Sequence, residues 1–190
     1  MERVHDLVDA ETEQVYTRSW ENCFFLGTGG WGGDRGMYPC LSFSHLLTCE
    51  GPKMSEYLPP DDRKPDIVQT LQTTLETAHL YRLNGDYNPL HASLETGKTL
   101  GYGGIIIHGL FSWNVAAQVV LQNYNGTVLR DFVARFASPV RPGDKLSIQL
   151  WDMESIDSCL EVRFNVKVGD RVVLSNGRAL LETTKKNAKL

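Results

Sequence analysis

The stretch YRLNGDYNPLHASLETGKTLGYGGIIIHGLFSWNVAAQVVLQNY, residues 81–124, decides how this chain folds and where its chemistry lies. Its last part, residues 110–124, is apolar on nearly every face of a helix, and such a helix is normally buried. Its first part sets a carboxylate, Asp86, and an imidazole, His91, five residues apart among turn-forming residues. The stretch therefore predicts one long buried helix, preceded by a loop that carries titratable side chains.

Local signals predict how that loop is held. Residues 76–83 place apolar side chains at helical spacing, and Gly85 follows them, since glycine adopts the left-handed conformation of a helix C-cap. Asn88 then suits the N-cap of a new helical turn, with proline after it and His91 inside it. Because helical segments fix the loop at both ends, Asp86 and His91 are expected to project into one cleft.

Each of these residues also has an ordinary structural explanation. Asp86 after a glycine is typical of a turn, and an isolated His91 is more often a surface or core histidine. A second pair, His108-Gly109, opens the apolar helix and adds an imidazole beside a residue without a side chain. The combination favours a catalytic site over separate structural roles.

The motif GDYNPLH, residues 85–91, together with His108-Gly109, resembles the signature of the MaoC-like or type-2 (R)-specific enoyl-CoA hydratases. The resemblance is strong over residues 65–183 and weaker over residues 1–36. It implies an α+β hot-dog fold, in which a curled antiparallel sheet wraps around a long central helix. It also implies a coenzyme A thioester as substrate, with no cofactor and no metal.

The chemistry of hydration fits these residue types. Adding water to an enoyl thioester needs a proton acceptor, a proton donor and fixed hydrogen bonds to the enolate oxygen. The resemblance makes Asp86 and His91 the catalytic dyad and gives the Gly109 N–H to the oxyanion hole, while the base remains unassigned within the dyad. Four further residues complete the expected substrate site: Asn88, His108, Ala117 and Val120. The first would orient the dyad, and the last two would border the acyl tunnel.

The remaining sequence predicts the sheet. Four strand-like runs follow the helix, at residues 128–136, 145–153, 160–168 and 171–181. Turn residues separate them, and Gly169-Asp170 is typical of a hairpin. A further strand is predicted at residues 67–73, so the hydratase domain is expected to span residues 67–183.

The first third of the chain has a different pattern. Residues 27–33 contain the letters GxGxxG, but the sequence after them cannot continue as a helix and lacks the P-loop lysine, which argues against nucleotide binding. By the resemblance, residues 1–36 are the remnant of a first hot-dog half, and the proline-rich residues 37–66 are a linker. Because a complete half would need its own central helix, we expect homodimerisation to cover the open sheet edges.

Composition agrees with a globular enzyme. The chain has 190 residues, 42% hydrophobic and 22% charged, and a formal net charge of −4 that gives no basic field for nucleic acid. It has no apolar run of membrane-spanning length and no signal peptide, so a soluble intracellular protein is expected. Its cysteines form no CxxC pair and lack zinc-ligand spacing; they are Cys23, Cys40, Cys49 and Cys159.

Residues 184–190 read as a tail that ends in Ala188-Lys189-Leu190. This tripeptide is similar to the Ser-Lys-Leu address of peroxisomal proteins, although an ordinary solvated tail is the alternative. We expect the peroxisomal import receptor to bind it. If the tripeptide is not recognised, the protein is expected in the cytosol.

The sequence thus predicts reversible syn hydration of trans-2-enoyl-CoA to (3R)-hydroxyacyl-CoA, in peroxisomal β-oxidation or a related acyl pathway. One alternative is a dehydratase for a specialised acyl or polyketide thioester in secondary metabolism. The other is an inactive, truncated acyl-binding or dimerisation module. A hot-dog thioesterase fits less well, because the GDxNPxH spacing matches hydratases better.

Overall fold

The computed structural model of the chain describes residues 2–22 and 56–183. They fall in two compact units, divided after Ser55. The first unit contains an antiparallel hairpin of β1 (Glu2–Val8) and β2 (Val15–Asn22). Its turn is held by Asp9, whose carboxylate accepts hydrogen bonds from two backbone N–H groups and one tyrosine hydroxyl. The glycine-rich residues 27–33, the tail and three of the cysteines lie outside the described residues.

The second unit contains one antiparallel sheet with the strand order β3-β5-β6-β7-β4. Its strands are β3 (Ile67–Gln72), β4 (Thr127–Phe136), β5 (Lys145–Asp152), β6 (Cys159–Val168) and β7 (Arg171–Thr183). All five predicted strands are confirmed, with ends that differ by at most two residues. Register shifts in the β4–β7 and β6–β7 pairs bend the long strands, and this bending lets the sheet curl.

In the described part of this unit, three α-helices accompany the sheet: α1 (Thr77–Arg82), α2 (Leu94–Thr99) and α3 (Gly109–Asn123). The predicted helix at residues 76–83 is confirmed by α1, whereas α2 has no counterpart in the prediction. Valines and an alanine of α3 pack on the buried apolar side chains of β5, β6 and β7. A curled antiparallel sheet around one long helix confirms the predicted hot-dog fold. Within the described ranges, no helix is long and apolar enough to span a bilayer.

One expectation about α3 is wrong. The helix is not buried all round, because Leu110 is 56% exposed and Leu121 is 41% exposed, with Asn114 and Gln118 exposed between them. Positions 110, 114, 118 and 121 share one helical face. The sheet covers only the opposite side of the helix. The helix is therefore exposed on one face although apolar residues occur on nearly every face.

Residues 56–66 lie along the sheet face opposite the helix. The indole Nε1 of Trp151 donates to the backbone carbonyl of Arg63 at 3.3 Å, and the Asp152 N–H donates to the Asp66 carboxylate at 2.8 Å. These residues were predicted as the end of a linker, and their hydrogen bonds attach them to β5. The predicted domain boundaries at residues 36, 66 and 183 otherwise remain predictions.

A buried carboxylate lies on the same outer sheet face. Glu161 is 1% exposed and forms ion pairs with the guanidinium groups of Arg163 and Arg178, the latter at 3.5 Å. Neither contact has hydrogen-bond geometry. Arg178 also pairs with Asp131 at 3.0 Å, and the ring of Tyr57 lies against both guanidinium groups. Charged residues therefore alternate along β6 with the apolar side chains that face the helix.

Candidate active site

Local hydrogen bonds build the loop between α1 and α2. Gly85 has φ +105°, the left-handed conformation predicted after α1. The Asn88 side chain accepts a hydrogen bond from the Leu90 N–H at 3.0 Å, which confirms the predicted N-cap for the short 3₁₀ turn Pro89–His91. The Asp86 carboxylate accepts from the Asn88 N–H at 3.1 Å. The side chains of Asp86 and Asn88 therefore fix the shape of the loop. Asn88 lies in the loop between the two residues of the predicted dyad.

The tautomer of His91 follows from its surroundings. Its buried ring places Nδ1 2.8 Å from the carbonyl oxygen of Ile106. Because a carbonyl only accepts, Nδ1 carries the proton, and Nε2 of the neutral ring has a free lone pair. Burial lowers the pKa of His91 below its ordinary 6.5, although the Ile106 hydrogen bond opposes this shift. His91 is therefore neutral at pH 7 and able to take a proton at Nε2.

His108 contacts both residues of the predicted dyad, His91 and Asp86, and holds them in place. Its buried ring stacks on His91, with centroids 3.6 Å apart and planes 22° apart, and Tyr81 lies near it at 5.0 Å. Its Nε2 donates to the backbone carbonyl of Asp86 at 3.1 Å. It is not among the described residues that line the cavity beside His91. These contacts fit a positioning role better than the predicted substrate contact.

The predicted dyad comes together at this point. A carboxylate oxygen of Asp86, a ring nitrogen of His91 and a ring nitrogen of His108 all lie within 4.8 Å of one another. The Asp86 side chain is 59% exposed, so water reaches it freely. One water molecule with hydrogen bonds of about 2.8 Å to two groups spans such a distance. The site can therefore hold a water between a carboxylate and a neutral imidazole.

The same three side chains are also a donor set that divalent metals accept. Each imidazole already gives one nitrogen to a backbone carbonyl, and in His108 this nitrogen is Nε2, which also lies 3.6 Å from the Asp86 carboxylate. Carbonyl-oriented imidazoles occur both in metal sites and in acid-base sites. A chelator therefore belongs in any activity test of this site.

A cavity of about 330 Å³ opens beside His91 at the start of α3. Gly109 lines it, and a Cβ on that residue would lie 3.0 Å from the ring of Phe136, so a larger residue would collide with the aromatic wall. The first N–H groups of a helix have no partner within the helix. Gly109 thus offers a backbone donor in the same cavity as the imidazole of His91.

Two predicted site residues lie elsewhere. Ala117 is half-buried and Val120 is fully buried in the core, and neither is among the described residues that line this cavity. Sequence reasoning missed Ser112, which does line it. Its spacing of three residues from Gly109 on α3 was the available signal, since that spacing gives the same helix face.

A second cavity of about 400 Å³ lies between β3 and α1. Leu71 and Leu80 give it apolar walls, and Tyr81 and Phe111 close one side. Tyr81 also lies against His108, so this cavity adjoins the residues that position the dyad.

Residues 58–173 match the family described as "MaoC like domain". The chain is 55% identical to the probable dehydratase NIT22 of Ajellomyces capsulatus over 196 residues, which covers 96% of this chain and 48% of that protein. It is 31% identical to the probable enoyl-CoA hydratase 2 of Dictyostelium discoideum, covering 87% of this chain and 52% of that protein. The chain therefore spans about half the length of these relatives.

A solved structure resembles the fold as well. The full-length peroxisomal multifunctional enzyme type 2 from Drosophila melanogaster aligns with a TM-score of 0.60 and 27% sequence identity. The alignment covers 72% of this chain and 25% of that chain. The similarity thus extends to the three-dimensional arrangement of the strands and the central helix.

Proposed function

The chain belongs to the MaoC-like domain family, and on that premise we propose that it catalyses the reversible hydration of trans-2-enoyl-CoA to (3R)-hydroxyacyl-CoA. The observation that carries the proposal is the position of His91. Its Nε2 lone pair is free, its ring is neutral, and it shares a 4.8 Å cluster with the Asp86 carboxylate and a cavity with Gly109. This arrangement supports activation of a water beside a thioester.

In the proposed first step, a water lies between Nε2 of His91 and the Asp86 carboxylate. An ionised carboxylate only accepts hydrogen bonds, so Asp86 orients the water through one O–H while His91 takes the other proton. The water oxygen bonds to C3, and the electrons of the C2–C3 double bond move toward the thioester carbonyl. The Gly109 N–H donates to the oxygen on which negative charge develops.

In the second step, the proton returns to the substrate. His91 is the group that has become protonated, and it delivers that proton to C2 while the enolate electrons form the new C–H bond. The product carries hydroxyl at C3 and hydrogen at C2, and His91 is neutral again. Because the water and the returning proton come from the same side, the addition is syn. The reverse sequence is a dehydration.

The test is the absorbance of the enoyl-thioester band, followed with short and medium trans-2-enoyl-CoAs and chiral analysis of the product. We expect the band to disappear, the product to be (3R), and the rate to be unchanged after dialysis against a chelator. A (3S) product or a rate that a chelator abolishes would contradict the mechanism. No turnover with any chain length, in folded protein, would favour an acyl-binding module instead.

We predict an acid limb in the pH profile of hydration. The active form of His91 is neutral, and burial holds its pKa below 6.5, so the acid limb of kcat/KM should be centred below pH 6.5. Folding stability should decline in the same interval, because the unfolded imidazole binds a proton that the buried ring resists. A limb centred at or above 6.5, or one that persists in His91→Asn, would refute this assignment.

A dehydratase acting on a specialised 3-hydroxyacyl thioester is the second candidate. It is favoured by the 55% identity to a relative named a probable dehydratase. The same residues would run the reaction in the opposite direction. Rates of dehydration measured with coenzyme A and carrier-protein thioesters, compared with enoyl-CoA hydration, separate the two candidates.

We also propose that the chain forms a homodimer that covers the open face of α3. Leu110 and Leu121 give that face apolar area, which associating surfaces remove from water. Sedimentation of the chain with and without Leu121→Glu tests this proposal.

A peroxisomal location, supported by the name of the Drosophila structure, is part of the proposed function and is tested by imaging a tagged chain.

A further inference from the structure

Ser112 carries a buried hydroxyl without an evident structural use. The residue is 1% exposed, and its Oγ has no hydrogen-bond partner among the residues that the structure describes. Ser138, which lines the same cavity, differs because its hydroxyl donates to the backbone carbonyl of Val172. Burying a hydroxyl without a hydrogen bond costs folding free energy. The Ser112 hydroxyl is therefore available to a ligand in the cavity.

The position of Ser112 on α3 places this hydroxyl near Gly109. The two residues are three positions apart and share one face of the helix. Helical side chains lean toward the N-terminus, so the Ser112 side chain lies over the first turn of α3. Both residues line the cavity that also contains the ring of His91.

The rest of that cavity indicates which part of the substrate meets the hydroxyl. Ile107, Val140 and Val173 give it apolar walls that suit a hydrocarbon chain. In the hydration reaction, the atom that gains negative charge is the thioester oxygen. Because Ser112 and Gly109 line the same cavity from one face of α3, a single thioester oxygen is a suitable acceptor for both donors.

We propose that Ser112 Oγ–H donates a second hydrogen bond to the thioester oxygen that the Gly109 N–H binds. Ser112 keeps its proton throughout, and no bond to it forms or breaks. Two donors fixed by one helix stabilise the enolate more than one, without reorganisation during the reaction. This inference rests on the proposed function and assigns Ser112 as a catalytic residue of the oxyanion hole.

Kinetics of Ser112→Ala and Ser112→Thr test the proposal. Loss of one oxyanion donor lowers kcat about 100- to 1,000-fold, so Ser112→Ala should show that loss with little change in KM. Ser112→Thr, which keeps the hydroxyl, should stay within about tenfold of the unsubstituted chain. Ser147→Ala is the matched control, since it makes the same change on the outer sheet face and should leave turnover unchanged.

A spectroscopic measurement separates this role from packing. An enoyl-CoA labelled at the thioester carbonyl should show a higher carbonyl stretching frequency in Ser112→Ala than in the unsubstituted chain, because one hydrogen bond is lost. The thermal midpoint should be unchanged or higher, because the removed hydroxyl has no protein partner.

Either of two results would overturn the inference: a kcat of Ser112→Ala within about threefold of the unsubstituted chain, or an unchanged carbonyl frequency. If the carbonyl frequency is unchanged and the thermal midpoint is also lower, Ser112 has a packing role only. Failure of the proposed function looks different, since the unsubstituted chain itself would then neither hydrate the enoyl-CoA nor shift its carbonyl band.

Discussion

His91→Asn is expected to lower the hydration rate on the order of a hundredfold or more, because it removes the nitrogen that takes the proton from water. Asparagine is chosen because its amide nitrogen can take the place of Nδ1 and donate to the Ile106 carbonyl, which is 2.8 Å from Nδ1. The buried backbone acceptor then keeps its partner. The loss should therefore fall on catalysis and spare the fold.

His79→Asn is the matched control. His79 is exposed on α1, so this substitution makes the same chemical change away from the cavity. It should keep the rate and the thermal midpoint of the unsubstituted chain. If His91→Asn folds normally and loses less than about threefold, the assignment of His91 as the base is wrong.

Glu161→Ala is expected to destabilise the second unit by about 3 to 5 kcal/mol, the usual effect of removing one partner of a buried ion pair. Glu161 is fully buried between two guanidinium groups that are themselves mostly buried. Arg178 keeps Asp131 as a partner, but the only ion pair of Arg163 in the described part of the chain is with Glu161. Urea unfolding followed by tryptophan fluorescence measures the loss.

Glu182→Ala provides the comparison for that experiment. Glu182 pairs with Arg130 at the sheet surface, where both side chains are exposed, and surface ion pairs contribute little to stability. We expect a clearly smaller change in unfolding midpoint than for Glu161→Ala. Equal losses in the two variants would mean that the burial of Glu161 does not determine its contribution.

The parts of the fold that depend on neighbouring residues could be predicted from the sequence. The cap at Asn88 and the left-handed Gly85 follow from local hydrogen bonding and backbone sterics, and the structure has both. The five strands follow from alternating patterns bounded by turn residues. The loop that carries Asp86 and His91 was therefore accessible without any tertiary information.

The contacts that tune the site could not be predicted, because they join residues far apart in the chain. The tautomer and lowered pKa of His91 depend on the Ile106 carbonyl and on burial, and the position of Asp86 depends on His108. No sequence pattern indicates which backbone carbonyl accepts a hydrogen bond from which histidine ring. The open face of α3 was missed for a similar reason, since the sheet decides which side of a helix it covers.

The short helix α2 shows a different limit. Its six residues include a glycine and lack a clear apolar period, so the local signal is limited to its N-cap, Ser93, whose hydroxyl accepts from the Thr96 N–H at 3.1 Å. Gly97 nevertheless packs directly on the backbone of Gly104, where a Cβ would lie 2.0 Å from the carbonyl oxygen. This tertiary contact, which sequence patterns do not encode, requires a glycine where the helix packs on Gly104.

Asp86 and His91 are proposed to act together on one water molecule, and a double-mutant cycle of hydration rates tests this cooperation most directly. Asp86→Asn, His91→Asn and the double variant are compared with the unsubstituted chain, each checked for folding. If the two groups work as one unit, the double variant should be about as slow as the slower single variant. If the two losses multiply instead, the residues act independently and the account of a shared water is contradicted.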